Sequence, residues 1–231
     1  MFKPETIEKA RKDMLAEINN LRTLNANDIK LAISYGNKKI GRVMNVSVSP
    51  LLSCLYGPCW SFCYDIKAVV QYANVRSARC RNYVLATMHR DVYFDRIREA
   101  ISKRRKNKYF RWHVGGDMID YDYFCSTVEI AKEFPEFKFW TYTKKYHFVN
   151  KWIAENGALP NNYKVMFSEW DGVKLDNPYD QPTFSCKLKA GNKNHPAEYF
   201  ESLYKCPGNC DICKATGRGC LAGEHTYADE H

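Results

Sequence analysis

The sequence predicts an α/β fold, namely a partial or open (β/α) barrel with a C-terminal cysteine-rich metal-binding appendage. Two observations lead to this prediction. Strand-like and helix-like segments alternate along most of the 231-residue chain, as they do when helices cover a parallel sheet. Seven of the ten cysteines lie in two short groups, which is typical of metal sites rather than of a disulfide framework.

The first 29 residues predict an amphipathic helix, because apolar residues recur at helical spacing from Ile7 to Leu21. Residues 30–204 predict the partial barrel. Strand-like runs are expected at 31–35, 43–49, 109–114, 138–143 and 163–169, with a weaker run at 183–188. Helix-like stretches are expected at 65–73, 78–105, 120–134 and 146–156. The strands are fewer than the eight of a closed barrel, so the sheet is expected to be open.

Composition limits the class of protein. A hydrophobic fraction of 45% excludes a disordered chain, and the net charge of +9 favours anionic partners such as nucleotides or nucleic acid. No apolar run reaches the roughly 18 residues that a membrane span needs, so we expect no membrane partner. The N-terminus has no apolar segment like that of a secretory signal, which predicts a cytoplasmic location.

Three cysteines follow the first core strand, and Cys54, Cys59 and Cys63 are named here the first cysteine group. Three thiolates suit an iron–sulfur cube whose fourth iron stays open to a small molecule, whereas structural zinc normally has four protein ligands. The alternatives are buried thiols or a zinc site with a distant fourth ligand such as His113. The sequence leaves three roles open for this histidine, namely a metal ligand, an acid–base group or a core side chain with satisfied hydrogen bonds.

Four further cysteines lie within fifteen residues near the C-terminus. This second cysteine group consists of Cys206, Cys210, Cys213 and Cys220. Four thiolates close a tetrahedral site, so residues 205–231 are expected to bind zinc or a second four-iron cluster. The other cysteines are expected to pack in the core as small apolar side chains. They are Cys80, Cys125 and Cys186.

Polar residues stand where several predicted strands end. Gly115, Gly116 and Asp117 follow the second core strand directly. Hydroxyl and carboxylate side chains end other strands, and we expect these side chains and Asp117 either to bind the polar groups of a nucleoside cofactor or to cap their strands. This further set consists of Ser49, Thr141, Ser168 and Glu169.

Two basic segments also contain aromatic residues. The run 102–111 is expected to be the solvated end of a helix, with a contact to a phosphate backbone as the alternative. Tyr142, Lys144, Lys145 and Tyr146 form the other segment, at the end of a predicted strand. Its rings and cations suit a nucleotide or a single-stranded nucleic acid.

The three-cysteine loop, with Phe62 directly before its last cysteine, and the Gly-Gly-Asp turn after the next strand resemble the radical S-adenosylmethionine superfamily. The resemblance implies that the first cysteine group holds a [4Fe-4S] cluster and that Gly115, Gly116 and Asp117 contact S-adenosylmethionine. It also implies a reductant protein that supplies the electron for cleavage of this cofactor. The substrate class is open, with a nucleotide or a nucleic acid as the expectation.

The spacing within the cysteine groups leaves their roles open. Each gap in the first group is one residue longer than is usual in the superfamily, whereas Cys206, Cys210 and Cys213 match the usual spacing. The position of the first group, after the first core strand, favours it as the catalytic one. If the second group binds the cofactor instead, the two roles are exchanged.

The motifs NVSVSP, CxxxxCxxxCY, RWHVGGD and FWTYTKKY, in this order, also resemble an uncharacterised bacteriophage family, gene product 88, over roughly residues 30–220. This resemblance implies a phage origin, cluster binding and a location in the host cytoplasm. The alternative function is a zinc-stapled nucleic-acid-binding protein without catalytic activity. A simple electron carrier is a third interpretation.

Overall fold

A computed structural model describes residues 3–38 and 40–230. Met1 and Phe2 of the predicted N-terminal segment, His231 of the cysteine-rich segment, and Lys39 lie outside the described residues. Among the described helices, none is both long enough and apolar enough to cross a membrane.

Helices and strands alternate along the described chain. The helices are α1 (Pro4–Leu21), α2 (Pro50–Ser53), α3 (Tyr64–Gln71), α4 (Ala73–Met88), α5 (Arg90–Ser102), α6 (Tyr121–Glu133), α7 (Tyr146–Asn156) and α8 (Cys210–Thr216). The strands are β1 (Met44–Asn45), β2 (Tyr109–Arg111), β3 (Lys138–Thr143), β4 (Tyr163–Glu169), β5 (Thr183–Lys187), β6 (Tyr204–Lys205) and β7 (Thr226–Asp229). Short 3₁₀ turns are Ala26–Asp28, Pro58–Ser61, Ala197–Ser202 and Gly219–Leu221.

The strands form one open sheet in the order β1-β2-β3-β4-β5-β7-β6, and every neighbouring pair is parallel. The predicted α/β class with an open parallel sheet is therefore confirmed. The longest register joins β3 to β4, from Phe139 opposite Tyr163 to Thr143 opposite Phe167. Because the strands are parallel, the carboxyl ends of β1 to β5 meet at one edge, named here the mouth edge.

One face of the sheet packs against helices. Phe110, Phe139, Val165 and Phe167 are buried on this face, together with apolar side chains from α1 and from α3 to α7. Their alternation with residues of the opposite face follows from the two-residue period of a strand. This is the layer arrangement expected of repeated βα units.

The cysteine-rich segment covers the opposite face. Trp140 and Met166 of the sheet form a second, smaller core with Val43 and Cys220, and Tyr142 packs against it. β6 and β7 flank the second cysteine group in the sequence and are strands of the same sheet. The predicted cysteine-rich segment therefore contributes a strand, β7, to the same sheet as the rest of the chain.

The bounds of the predicted elements differ in quality. The observed β3, α7 and β4 begin and end where the sequence predicts them. The run 31–35 contributes an isolated bridge between Ser34 and Asn45, and only two residues of 43–49 are strand. The predicted helix 78–105 is divided into α4 and α5, because His89 has φ −134° and ψ 51°.

Candidate functional site

The first cysteine group lies on the loop that leaves β1 at the mouth edge. Cys54 follows α2, Cys59 lies in the 3₁₀ turn Pro58–Ser61, and Cys63 is the N-cap residue of α3. All three are free thiols and half-buried. The loop therefore presents three thiols at the edge where a parallel sheet places its chemistry.

The Gly-Gly-Asp turn packs directly against this loop, and both glycines are required for the contact. A Cβ atom on Gly115 would lie 1.8 Å from a carboxylate oxygen of Asp65 in α3. Gly116 has a φ of +84°, and a Cβ atom there would lie 2.7 Å from the backbone oxygen of Val48 and 2.8 Å from Oγ of Ser53. Glycine thus lets the end of β2 approach the helices on both sides of the cysteine loop.

Ser53 connects the loop to the turn by hydrogen bonds. The backbone amide of Asp117 donates to Ser53 Oγ at 2.9 Å, and this hydroxyl donates to the backbone oxygen of Ser49 at 2.7 Å. The amide of Gly115 donates to Oγ of Ser47 at 3.0 Å. The turn is therefore fixed in position beside the first cysteine group.

The Asp117 side chain is buried under the turn. Its carboxylate accepts hydrogen bonds from the amides of Met118 at 2.8 Å and Lys144 at 3.1 Å. Burial raises the pKa of this carboxyl group, and the hydrogen bond with Thr143 opposes the rise. Asp117 therefore retains its proton to a higher pH than an exposed aspartate does.

The three thiols of the first group lie close enough to influence one another. Burial raises the pKa of Cys54 well above the usual thiol value, and negative charges on Asp117, Cys63 and Cys59 raise it further. The ammonium group of Lys144 opposes this rise. Burial also raises the pKa of Cys63 to about 11. A metal ion or cluster would offset the accumulated negative charge of such a donor set.

Lys144 and Ser168 meet where β3 and β4 end. Lys144 Nζ donates to Ser168 Oγ at 3.1 Å and lies 5.5 Å from the centre of the Trp170 ring. The hydroxyl of Tyr146 donates to the backbone oxygen of Ser168 at 2.5 Å. Lys145 is buried, with its ammonium group on backbone carbonyls. Of the two lysines in the predicted basic-aromatic segment, Lys144 therefore reaches the mouth edge.

Glu169 makes hydrogen bonds to other side chains of the protein. Its Oε2 accepts from Ser185 Oγ at 2.5 Å and from the hydroxyl of Tyr199 at 2.9 Å, while Oε1 lies 2.9 Å from Nε2 of His195. The His195 ring stacks on Tyr199 with a centroid distance of 3.9 Å. Sequence reasoning missed His195 and Tyr199 because their segment carries no strand pattern or motif.

Two of the predicted site residues, Ser49 and Thr141, lie in the core on the helix face rather than at the mouth edge. Ser49 Oγ contacts Sδ of Met14 at 3.5 Å. Thr141 Oγ1 lies 3.2 Å from Nδ1 of His113, whose Nε2 lies 3.0 Å from the hydroxyl of Tyr123. The structure therefore brings Gly115, Gly116, Asp117 and Ser168 together near the first cysteine group, and separates these two hydroxyls from them.

His113 is a core residue with both ring nitrogens in hydrogen bonds. Its φ of +52° interrupts strand alternation, so His113 and its neighbour Trp112 both pack toward Tyr123. Burial lowers the pKa of His113 to about 3, and the charges of Lys145 and Arg111 lower it further. Of the roles that the sequence leaves open for this histidine, the geometry supports the core residue.

The second cysteine group gathers on the sheet face opposite the helices. Cys210 and Cys213 lie in α8, Cys220 lies in the 3₁₀ turn Gly219–Leu221, and Cys206 follows β6. Burial raises the pKa of Cys210, Cys213 and Cys220, and negative charge on Cys206 adds to the rise at each. These three thiols therefore lie near enough to Cys206 for its charge to act on them.

Two side chains of the sheet contact the second cysteine group. The hydroxyl of Tyr142 donates to Sγ of Cys220 at 2.9 Å. The guanidinium group of Arg111 lies 4.6 Å from the centre of the Tyr142 ring, and its charge opposes the rise in the pKa of Cys210 and Cys220. Arg111 Nε is buried without a hydrogen-bond partner among the described residues. Sequence reasoning assigned Arg111 to an exposed basic run and missed this position.

The chemistry of both donor sets suits a metal or a cluster. Within residues 3–38 and 40–230, no three His, Cys, Asp or Glu side chains are arranged at metal-binding distances. The seven thiols are nevertheless free, and they are divided between the loop at the mouth edge and the segment around α8. Outside these sets Cys80 is buried in the core, as predicted, while Cys125 and Cys186 are half-buried.

The chain was compared with known families, curated proteins and solved structures. A family model with the description Gene product 88 matches residues 14–176, which is more than half of the chain. The chain belongs to the Gene product 88 family. No curated protein and no solved structure matches it.

The Gene product 88 match confirms the resemblance to this bacteriophage family and changes its extent. It includes the first cysteine group, the Gly-Gly-Asp turn, Ser168 and Glu169, and it begins earlier than the motifs alone indicate. It ends before β5 and before the second cysteine group. The two cysteine groups therefore differ in their relation to the family as well as in their place in the fold.

Proposed function

We propose that this Gene product 88 protein is an iron–sulfur protein of the radical S-adenosylmethionine type, a partial (β/α) barrel in which the first cysteine group holds a [4Fe-4S] cluster. The contact between the three-cysteine loop and the Gly-Gly-Asp turn carries the proposal. These two features lie far apart in the sequence, and the hydrogen bond from Asp117 to Ser53 joins them at the mouth edge. The charge of Asp117 also acts on Cys54.

The mouth edge offers groups suited to the methionine end of S-adenosylmethionine. Among the hydrogen bonds of the described residues, none uses the carbonyl of Gly116, which is therefore available to an amino group. Lys144 and the hydroxyl of Ser168 supply a cation and a donor for a carboxylate. Gly115 and Asp117 hold the turn in place, and Glu169 orders the neighbouring end of β4.

Cys54, Cys59 and Cys63 would hold the cluster, which when bound and reduced would supply the electron for reductive cleavage of S-adenosylmethionine. That electron would come from a reductant protein. The chain's own part is to hold the cofactor between the turn and the cysteine loop and to keep water away from the reacting atoms. We propose a nucleotide or nucleic acid as substrate because the net charge is +9.

The test is metal and sulfide analysis with electron paramagnetic resonance of anaerobically reconstituted, dithionite-reduced protein, before and after addition of S-adenosylmethionine. The wild-type signal is expected to change on addition, and 5′-deoxyadenosine is expected to form. Cys59→Ala should abolish both results, whereas the control Cys125→Ala, outside both groups, should retain them. If Cys59→Ala still cleaves S-adenosylmethionine, the assignment of the catalytic cluster to the first group is wrong. If Cys213→Ala abolishes the cleavage instead, the two groups exchange roles.

A second candidate function is a zinc-stapled nucleic-acid-binding protein without catalytic activity. It is favoured by the second cysteine group, whose four thiols are the number of protein ligands that a closed tetrahedral zinc site uses. It predicts a colourless protein that contains zinc and does not respond to S-adenosylmethionine, a result that would overturn the radical proposal. The radical proposal also allows zinc or a second [4Fe-4S] cluster at the second group. In that case Cys213→Ala should lose the metal of this group and still cleave S-adenosylmethionine.

A further inference from the structure

Tyr35 and a set of basic residues lie at the edge of the sheet opposite the mouth edge. Tyr35 is 55% exposed and precedes β1. Arg104 lies in the loop that enters the amino end of β2, and its guanidinium group is 5.4 Å from the centre of the Tyr35 ring. Because this loop enters the start of β2 and the first cysteine group follows the end of β1, the two places lie at opposite edges of the sheet.

Two grooves adjoin at Tyr35. The larger one has a volume of about 540 Å³, and Lys30 and Arg96 line it together with Tyr35. The smaller one has a volume of about 310 Å³, and Lys38 and Arg42 line it on the other side of the same tyrosine. An exposed aromatic ring therefore stands between two basic grooves, and these residues with positions 104–106 are named here the basic strip.

Much of the positive charge of the basic strip lacks carboxylate partners. Lys30 and the three cations at positions 104–106 form no ion pair within the described part of the chain. Asp211 lines the smaller groove, and it is paired with Lys214. Arg104 Nε is buried without a hydrogen-bond partner among the described residues. The strip therefore has cations available for an anionic ligand.

The wall of the larger groove is held in place by hydrogen bonds to helices. The guanidinium group of Arg96 in α5 donates to the backbone oxygens of Ile29 at 2.7 Å and Ala26 at 3.0 Å. Arg81 in α4 donates to the backbone oxygen of Lys30 at 3.1 Å. A ligand therefore meets a surface that is already ordered, which reduces the entropy cost of binding.

We propose that the basic strip binds single-stranded nucleic acid, with a base stacked on Tyr35 and phosphates on the neighbouring cations. An exposed ring between cations is the arrangement by which proteins hold single strands, since every base has a face that stacks and every nucleotide has a charged phosphate. The strip lies at the edge of the sheet opposite the first cysteine group, and its smaller groove adjoins α8 through Asp211. The proposal therefore does not depend on which metal or cluster the first group binds.

The test measures fluorescence anisotropy of a 5′-labelled 20-nucleotide single strand, as RNA and as DNA, across a series of salt concentrations. Tyr35→Ala is expected to weaken binding about tenfold, whereas Tyr35→Phe, which keeps the ring, should bind as the wild type does. Lys30→Glu and Arg105→Glu should each weaken binding and reduce the salt dependence, because each removes about one phosphate contact.

The controls match these changes at exposed positions elsewhere. Tyr72 is 57% exposed, so Tyr72→Ala removes an equally exposed ring, and Lys174→Glu makes the same charge change in the loop after β4. Both controls should bind within about twofold of the wild type. Equal losses in the controls and the strip variants would overturn the proposal. So would binding to phosphatidylserine vesicles without binding to the oligonucleotide, because the strip would then serve an anionic membrane.

Discussion

The two cysteine groups differ in what surrounds them. The first lies on a loop at the mouth edge, where Lys144 is the cation that acts on Cys54. The second lies against the face of the sheet, where Arg111 acts on Cys210 and Tyr142 donates to Cys220. The first group therefore has polar groups of several strand ends beside it, whereas the second is enclosed by side chains that contact the thiols directly.

This difference indicates that the fold holds the two cysteine groups in position in different ways. Three thiols at an edge leave room for a small molecule, and the helices behind the loop fix their position through the Gly-Gly-Asp turn. The second group lies in the segment between β6 and β7, where Cys210 and Cys220 pack with Trp140 and Met166 of the sheet. Substitutions next to the first group should therefore change stability through the packing of the helices. Substitutions at the second group should change it through packing on the sheet.

The largest effect is expected at Asp65, which supports the first group from α3. Its carboxylate forms hydrogen bonds to Arg79 at 2.8, 3.2 and 3.3 Å, and its side chain is 3% exposed. Asp65→Ala leaves the half-buried guanidinium group of Arg79 without this partner and should lower the free energy of unfolding by about 3 kcal/mol in urea denaturation. Asp211→Ala in α8 removes a carboxylate that is 48% exposed, while Lys214 keeps its hydrogen bond to the backbone oxygen of Arg42, so the cost should be about 1 kcal/mol. Equal losses would contradict the difference in support.

The next effect concerns the close approach of β2 to the cysteine loop. Gly115→Ala places a methyl group against the Asp65 carboxylate and should cost about 1–3 kcal/mol of unfolding free energy. Gly57→Ala is the matched control on the same loop, since a Cβ atom there meets no atom within 4 Å. The control should change stability by less than about 0.5 kcal/mol. A neutral Gly115→Ala would show that the turn and α3 are not in fixed contact.

Acid should act on the helix face beside the first group. The pKa of His113 is lowered to about 3, so between about pH 6.5 and 3 the unfolded chain binds a proton that the folded chain excludes. Stability should therefore fall by up to about 1.4 kcal/mol for each unit of decreasing pH from this residue. Asp117 acts in the opposite direction, because burial raises its pKa.

The matched variant for this prediction is His113→Asn, since asparagine tolerates the left-handed backbone at this position. Urea denaturation at pH 7.0, 5.5 and 4.5 should show a smaller loss of stability with acid in the variant than in the wild type. An unchanged pH dependence would show that His113 does not control it.

The smallest effect is expected beneath the second group. Tyr142→Phe removes the hydrogen bond to Cys220 and should lower the free energy of unfolding by about 0.5–1.5 kcal/mol. Tyr109→Phe is the control, because its ring packs on the same face and its hydroxyl has no hydrogen-bond partner among the described residues. Thermal denaturation and metal content of both variants measure the difference. A larger loss of stability in Tyr109→Phe than in Tyr142→Phe would contradict a stabilising role for the hydrogen bond from Tyr142 to Cys220.

The sequence predicts the centre of the fold well because β3, α7 and β4 have strong periodicity and clear ends. It predicts the start of the sheet poorly. β2 is short because the positive φ of His113 interrupts the strand, whereas β1 ends at Asn45, well before Pro50 begins α2. Local patterns describe neither the bend at His89 nor the lateral position of β7 between two earlier strands.

The candidate site was predictable where motifs mark it and unpredictable where only packing does. The three-cysteine loop and the Gly-Gly-Asp turn are visible in the sequence, and the structure places them together. Ser49 and Thr141 stand near strand ends but point to the helix face, as the alternation of β3 could have indicated for Thr141. The same alternation puts Arg111 on the face of Tyr109, away from the helices, which is the signal that identifies its inward position.

The position of β7 has a consequence for the order of folding. β6 joins the sheet only through β7, which is made after it and enters between β5 and β6. Until β7 pairs, β5 is an exposed edge and β6 has no neighbour in the sheet. The second cysteine group lies between β6 and β7 in the sequence, so a metal bound there would shorten the loop that β7 has to close. The supply of metal during synthesis would then determine how long the unpaired edge of β5 can pair with strands of other chains.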